Sequence, residues 1–156
     1  MIRLFLAVAL SILAGIASAQ SIAPREGWVI IPTSKSYADL VEAVKTGAKA
    51  NKLGVVTQAG PTGAAKQRGI EIPGNRVIGL FNNVYAVRIL GLSTAAMIEA
   101  PIRMYVTEEE DGTATLSYKE PSFVFAPYMA EGGADLETAA AELDVMFAAV
   151  AEAAAN

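Results

Sequence analysis

Residues 101–118 alternate between apolar and polar side chains. Ile102, Met104 and Val106 fall on one side, Arg103, Tyr105 and Thr107 on the other, and Glu108-Glu109-Glu110-Asp111-Gly112 then precedes a second strand-like run at 113–118. Period-two alternation closed by an Asp-Gly turn predicts an antiparallel hairpin with one buried and one wet face. A lone hairpin is barely stable in water, so this one needs further strands and a cover for its apolar side. Two stretches can supply the cover. After Ser36, with Asp39 three residues on forming an approximate capping box, Tyr37, Leu40, Val41, Val44 and Ala48 recur at helical spacing and predict a helix to about Lys52. Gly47 costs that helix about 1 kcal/mol relative to alanine, which packing must offset. Leu136, Ala140, Leu143, Phe147 and Val150 predict a second long helix over 135–153, with Glu137, Glu142, Asp144 and Glu152 on its other faces.

Residues 28–31 form a β-branched run closed by Pro32, and 53–57 and 77–81 read as two further strands. Short helical turns are expected at 64–68, 84–90 and 94–99, and Gly132-Gly133 reads as a hinge before the last helix. The order β-α-β-β-β-β-α predicts an α+β two-layer sandwich, an antiparallel-rich sheet with both long helices on one face. Phe81 is expected to be buried at the end of the central strand.

Ahead of this domain, Arg3 is followed by an uncharged stretch at 4–17 and by Ala17-Ser18-Ala19. Charged start, apolar centre and small-x-small site predict a secretory signal cut after Ala19, leaving 20–156 as a single domain in the periplasm or outside the cell. The apolar run is shorter than the roughly 20 residues of a spanning helix, and no Cys follows the site. Loss of Arg3 leaves 11 Lys+Arg against 16 Asp+Glu, a formal charge of −5. That acidic balance argues against nucleic acid as a partner.

The chain contains no Cys and no His. This excludes disulfides, thiolate nucleophiles, Ser-His-Asp triads and zinc sites built on His or Cys, so the domain is held by packing alone. Ser34-Lys35-Ser36 holds the atoms of a Ser-Lys pair, but Ser36 is already used as a cap. Residues 108–111 carry four carboxylates without the alternating spacing of a calcium loop. Met97, Met104 and Met129, with Tyr85, Tyr105 and Tyr118, are the soft or phenolic side chains open to copper or haem iron. Met104 alternates with apolar residues and reads as core. Phe123, Phe125 and Tyr128, bounded by Pro121 and Pro127, form an aromatic segment suited to a groove or to the seam of a homodimer, or, as the rival reading, folded back under the final helix of a monomer.

Three stretches carry a resemblance: Val77-Ile78-Gly79-Leu80-Phe81-Asn82-Asn83, Ala100-Pro101-Ile102-Arg103-Met104-Tyr105-Val106, and Leu116-Ser117-Tyr118-Lys119-Glu120-Pro121. In this order they resemble the bacterial family called domain of unknown function 302, over about residues 28–128. The resemblance implies a TATA-binding-protein-like β-α-β(4)-α sandwich, usually dimeric, and no reaction. Two positions depart from the family's pattern: Asn82 stands in place of a usual Gly, and Val84 in place of a usual Pro. The bend after the third strand is therefore expected to be built differently here. Asn83, Arg103 and Tyr118 occupy motif positions and become the candidate ligand-binding residues. Each also has a structural role open to it, as a turn amide, an exposed ion-pair partner and a packed ring.

The first functional expectation is a non-enzymatic exported module that binds a small ligand or a protein partner, with no cofactor and no metal. Two alternatives stand beside it. One is an enzyme using only Glu, Lys, Tyr and Arg side chains, with Glu99 as its best general base. The other is haem or copper binding through Met and Tyr.

Overall fold

Ser36 ends the first strand and starts the first helix. Its Oγ accepts the Asp39 backbone N–H at 3.2 Å and donates to the Asp39 carboxylate at 2.7 Å, so the expected cap is formed. The computed structural model describes residues 22–156, and the expected signal segment lies outside them. The elements are β1 (Trp28–Ser36), α1 (Tyr37–Ala50), β2 (Gly54–Ala59), α2 (Thr62–Gln67), β3 (Asn75–Phe81), α3 (Asn83–Leu92), β4 (Ile102–Glu108), β5 (Thr113–Lys119), α4 (Pro121–Phe125) and α5 (Met129–Ala155). Single 3-10 turns stand at Ala96–Glu99 and Ala126–Tyr128.

The sheet has five strands in the order β1-β5-β4-β3-β2, every pair antiparallel. The alternation read from residues 102–108 is realised: Ile102, Met104 and Val106 are buried, and Arg103 is exposed. Leu116 and Ala114 on β5 and Ile78 and Leu80 on β3 complete the inward face. Leu40, Val41, Val44 and Ala48 of α1, and Leu136, Ala140, Leu143, Phe147 and Val150 of α5, close the same core. Both long helices thus lie on one face, as their periodicity predicted. The two helices come close at Gly47, where a Cβ would stand 3.1 Å from the Val150 carbonyl oxygen. That approach is the packing that offsets the glycine's helix cost.

Three expectations need correction. β4, not β3, is the central strand, because β1 and β2 take opposite edges and α1 crosses the sheet between them. Phe81 is accordingly half-buried rather than enclosed. The aromatic segment is helical, and Phe125 is 1% exposed within its own chain. Pro121 starts α4, so Phe123 and Phe125 point to different sides, and Phe125 cannot form a seam between copies. At Gly133 the last helix breaks, with φ 56° and ψ −152°, a conformation open to glycine and costly for other residues. The glycine pair therefore separates the first turn of α5 from its long packed body.

Candidate functional site

At one end of the sheet, the start of β1, the start of β4 and the end of β5 lie side by side. There the side chains of Trp28, Arg103, Tyr105 and Lys119 line a cavity of about 330 Å³, completed by Val77, Glu99, Ile102, Tyr118 and Val124. Each is fixed by ordinary strand geometry. Trp28 faces Lys119 across the β1–β5 ladder, Met104 faces Tyr118 across β4–β5, and Gly79 faces Arg103 across β3–β4. The stretch that leads into β4 contains a cis peptide bond between Ala100 and Pro101. Pro101 packs over Gly79, where a Cβ would sit 2.8 Å from its ring. The glycine lets the chain carrying Glu99 fold down against the sheet.

The charge of this cavity opposes that of the chain. Arg25 Cζ lies 5.1 Å and Lys119 Nζ 5.7 Å from the Trp28 ring centroid, both within cation–π reach. Arg103 adds a third cation and has no carboxylate within ion-pair distance among the described residues. Glu99 is the one acid in the lining, and its Oε1 accepts the Tyr128 hydroxyl at 2.7 Å. That hydrogen bond, with smaller effects of burial and nearby carboxylates, raises the Tyr128 pKa. The site therefore joins an aromatic wall to an excess of positive charge, Arg103 and Lys119 in the lining against Glu99.

Of the three sequence candidates, the structure brings two to this cavity. Arg103 reaches it from the wet face, whereas Tyr118 borders it but turns its ring to the helix side, 5.8 Å from Phe147. Asn83 stands elsewhere, exposed in the first turn of α3. The residue that shapes that bend is Asn82. Its Oδ1 accepts the Val84 and Tyr85 N–H groups and its Nδ2 donates to the Lys52 carbonyl. Trp28 and Lys119 were missed, because their meeting depends on the pairing of β1 with β5, which no local pattern encodes. A Trp at one strand start and a Lys at another strand end was the available signal.

Other candidates fall apart spatially. Met104 is fully buried in the core, Met97 borders a separate apolar crevice beneath α3 holding about 30 Å³, and Tyr85 donates to Glu142 at 2.8 Å. That crevice has room for about one water. Arg88 also reaches Glu142, at 2.7 Å, tying α3 to α5. The Tyr85 hydrogen bond and then Arg88 hold the Glu142 carboxyl below the usual range. Glu108 is not a free hairpin-tip carboxylate, since it accepts the Gly74 N–H at 2.6 Å. Among the described residues no group of three or more acidic side chains is placed to hold a metal ion.

Tyr118 has a property that can be tested directly. Burial, followed by the charges of Glu120 and Asp144, pushes its pKa up to about 12. Its hydroxyl makes no hydrogen bond among the described residues. An unfolded tyrosine releases its proton near 10, so stability is complete below that pH and is lost as pH rises from about 10 to 12. Over that range the native protein should lose about 2 kcal/mol more than Tyr118→Phe, compared by urea midpoints, while the two agree near pH 7. Parallel alkaline limbs would contradict this.

The family model for the domain of unknown function DUF302 matches residues 29–154. The chain belongs to the DUF302 family. No curated protein sequence matches it. Among solved structures, the crystal structure of an uncharacterized conserved DUF302 protein from Bacillus stearothermophilus superposes with a TM-score of 0.73 at 18% identity, covering 83% of this chain and 99% of that one. At that identity the likeness establishes the shared fold. Among the described residues of this DUF302 chain, no helix is long and apolar enough to cross a membrane.

Proposed function

We propose that this DUF302 protein is an exported, non-enzymatic binding module whose cavity at Trp28, Arg103 and Lys119 takes a small anion with an apolar or aromatic body. The observation that carries the reading is Arg103: a cation in a cavity of about 330 Å³, without an ion-pair partner among the described residues, beside the wall of Trp28 and Tyr105. A carboxylate or phosphate would accept from the guanidinium, in the two-pronged geometry that makes arginine a selective anion binder. The ligand's body would cover the aromatic wall, as in most small-molecule sites, where a few polar groups orient an otherwise apolar contact. Asn83 lies outside this site, and Tyr118 borders it without adding charge.

Cleavage after Ala19 would place the protein in the periplasm or outside the cell. A second copy would pack on the sheet face opposite the helices, where Trp28, Ile30, Val77 and Tyr105 are half-buried outside the core. Such a homodimer would also roof the cavity. A native mass spectrum of the exported protein reads all three at once. The expected result is a chain beginning at Gln20, in a species of twice its mass, carrying an added small acidic compound. A retained Met1 contradicts export, a one-chain mass contradicts the dimer, and an unliganded mass after supplementation with aryl carboxylates and phosphates contradicts the site.

A further inference from the structure

β1 is an edge strand, and the surface between it and α5 is a groove of about 570 Å³. Its floor is apolar, formed by Val29 and Ile31 of β1 and by Val145 and Ala148 of α5. Val145, 70% exposed, continues this apolar surface along α5. The rim is acidic: Glu120, Asp144 and Glu152 line the groove, and no Lys or Arg does. None of the three has an ion-pair partner among the described residues, although Asp144 accepts the Ser122 N–H at 2.9 Å. Tyr118, 4% exposed, forms part of the wall with its hydroxyl unbonded.

We propose that this groove receives an extended, cationic segment of a partner polypeptide, added as a sixth strand along β1. Edge strands offer unpaired backbone groups to such a segment, and the pockets beside them select alternate side chains. Pro32 has no N–H and the Trp28 N–H is taken by the Arg25 carbonyl, so pairing centres on Ile30 within residues 28–31, about 13 Å of extended chain. Apolar side chains of the partner would lie on Val29, Ile31 and Val145, and Lys or Arg side chains would meet the three carboxylates. Charge also decides against a second copy, because each would bring the same acidic rim to the other. The groove is separate from the Arg103 cavity in charge and occupant, so either reading can fail alone.

The test uses fluorescence anisotropy with a labelled ten-residue peptide alternating Lys and Val, and the purified full chain. The Lys–Val peptide is expected to bind, a Glu–Val peptide not to bind, and a Lys–Gly peptide to bind at least about tenfold more weakly. Glu120→Gln with Glu152→Gln should weaken Lys–Val binding about five- to tenfold, and Val145→Lys, at an exposed position, about tenfold or more. Binding should also slow hydrogen exchange of the Ile30 amide, since the Val29 and Ile31 amides already face β5 and the Trp28 N–H is bonded to Arg25. The proposal is overturned by failure of the Lys–Val peptide to bind, by equal binding of the Lys–Gly peptide, by indifference to the rim variants, or by protection confined to other strands. It is equally overturned if Val145→Lys converts a dimer to a single chain, since a second copy would then be the occupant.

Discussion

Phe147→Ala is expected to lower the unfolding free energy by about 3–5 kcal/mol. Phe147 is 1% exposed, faces the sheet from the middle of α5 and meets the Tyr118 ring at 5.8 Å. Its removal leaves a void between the sheet and α5, where close packing permits little collapse. Phe81→Ala should cost clearly less, about 1–2 kcal/mol, because that ring is half-buried at a strand end. Urea midpoints of the two variants and the parent give the comparison. Equal losses would mean that the core is not centred where α5 crosses β4 and β5.

Phe125→Asp is expected to unfold the protein rather than to separate subunits. A buried, unpaired carboxylate costs several kcal/mol even after relaxation, comparable with the whole stability of many domains. Phe125 is 1% exposed inside its own chain, beneath α5. Circular dichroism and light scattering together decide the outcome. A folded single chain from a dimeric parent would return the aromatic segment to the subunit seam and contradict its placement in the core.

These two residues also show how far sequence reached. The spacing of Leu136, Ala140, Leu143, Phe147 and Val150 named the buried face of α5 correctly, because a helix imposes its period on whatever sheet covers it. The hairpin alternation and the Ser36 cap were legible for the same reason: each is decided by neighbours in the chain. Phe125 was not legible. Its segment carries prolines and aromatics that suit a groove, a seam or a fold back under the last helix, and only the short helix begun by Pro121 turns Phe125 inward and Phe123 outward. Strand order was equally hidden, since α1 carries the chain from one edge of the sheet to the other and leaves β4 at the centre.

The site divides along the same line. Arg103 and Asn83 both come from motif positions, and only Arg103, on the polar face of β4, opens on the cavity. Asn83 was chosen from a motif position, whereas the adjacent Asn82 bridges α3 and the Lys52 carbonyl. The Trp28–Lys119 pair exists only because β1 and β5 become neighbours, a contact between distant parts of the chain.

That pair supplies the most direct test of the anion-binding account, because Trp28 is the only tryptophan in the chain. Its emission can be followed while an aryl carboxylate, an aryl phosphate and an uncharged aryl amide are titrated in turn. The account predicts a saturable change in Trp28 emission with the anions, at least about tenfold weaker binding in Arg103→Ala, and little response to the amide. A response of equal strength in Arg103→Ala, or no saturable change with any anion, would contradict it.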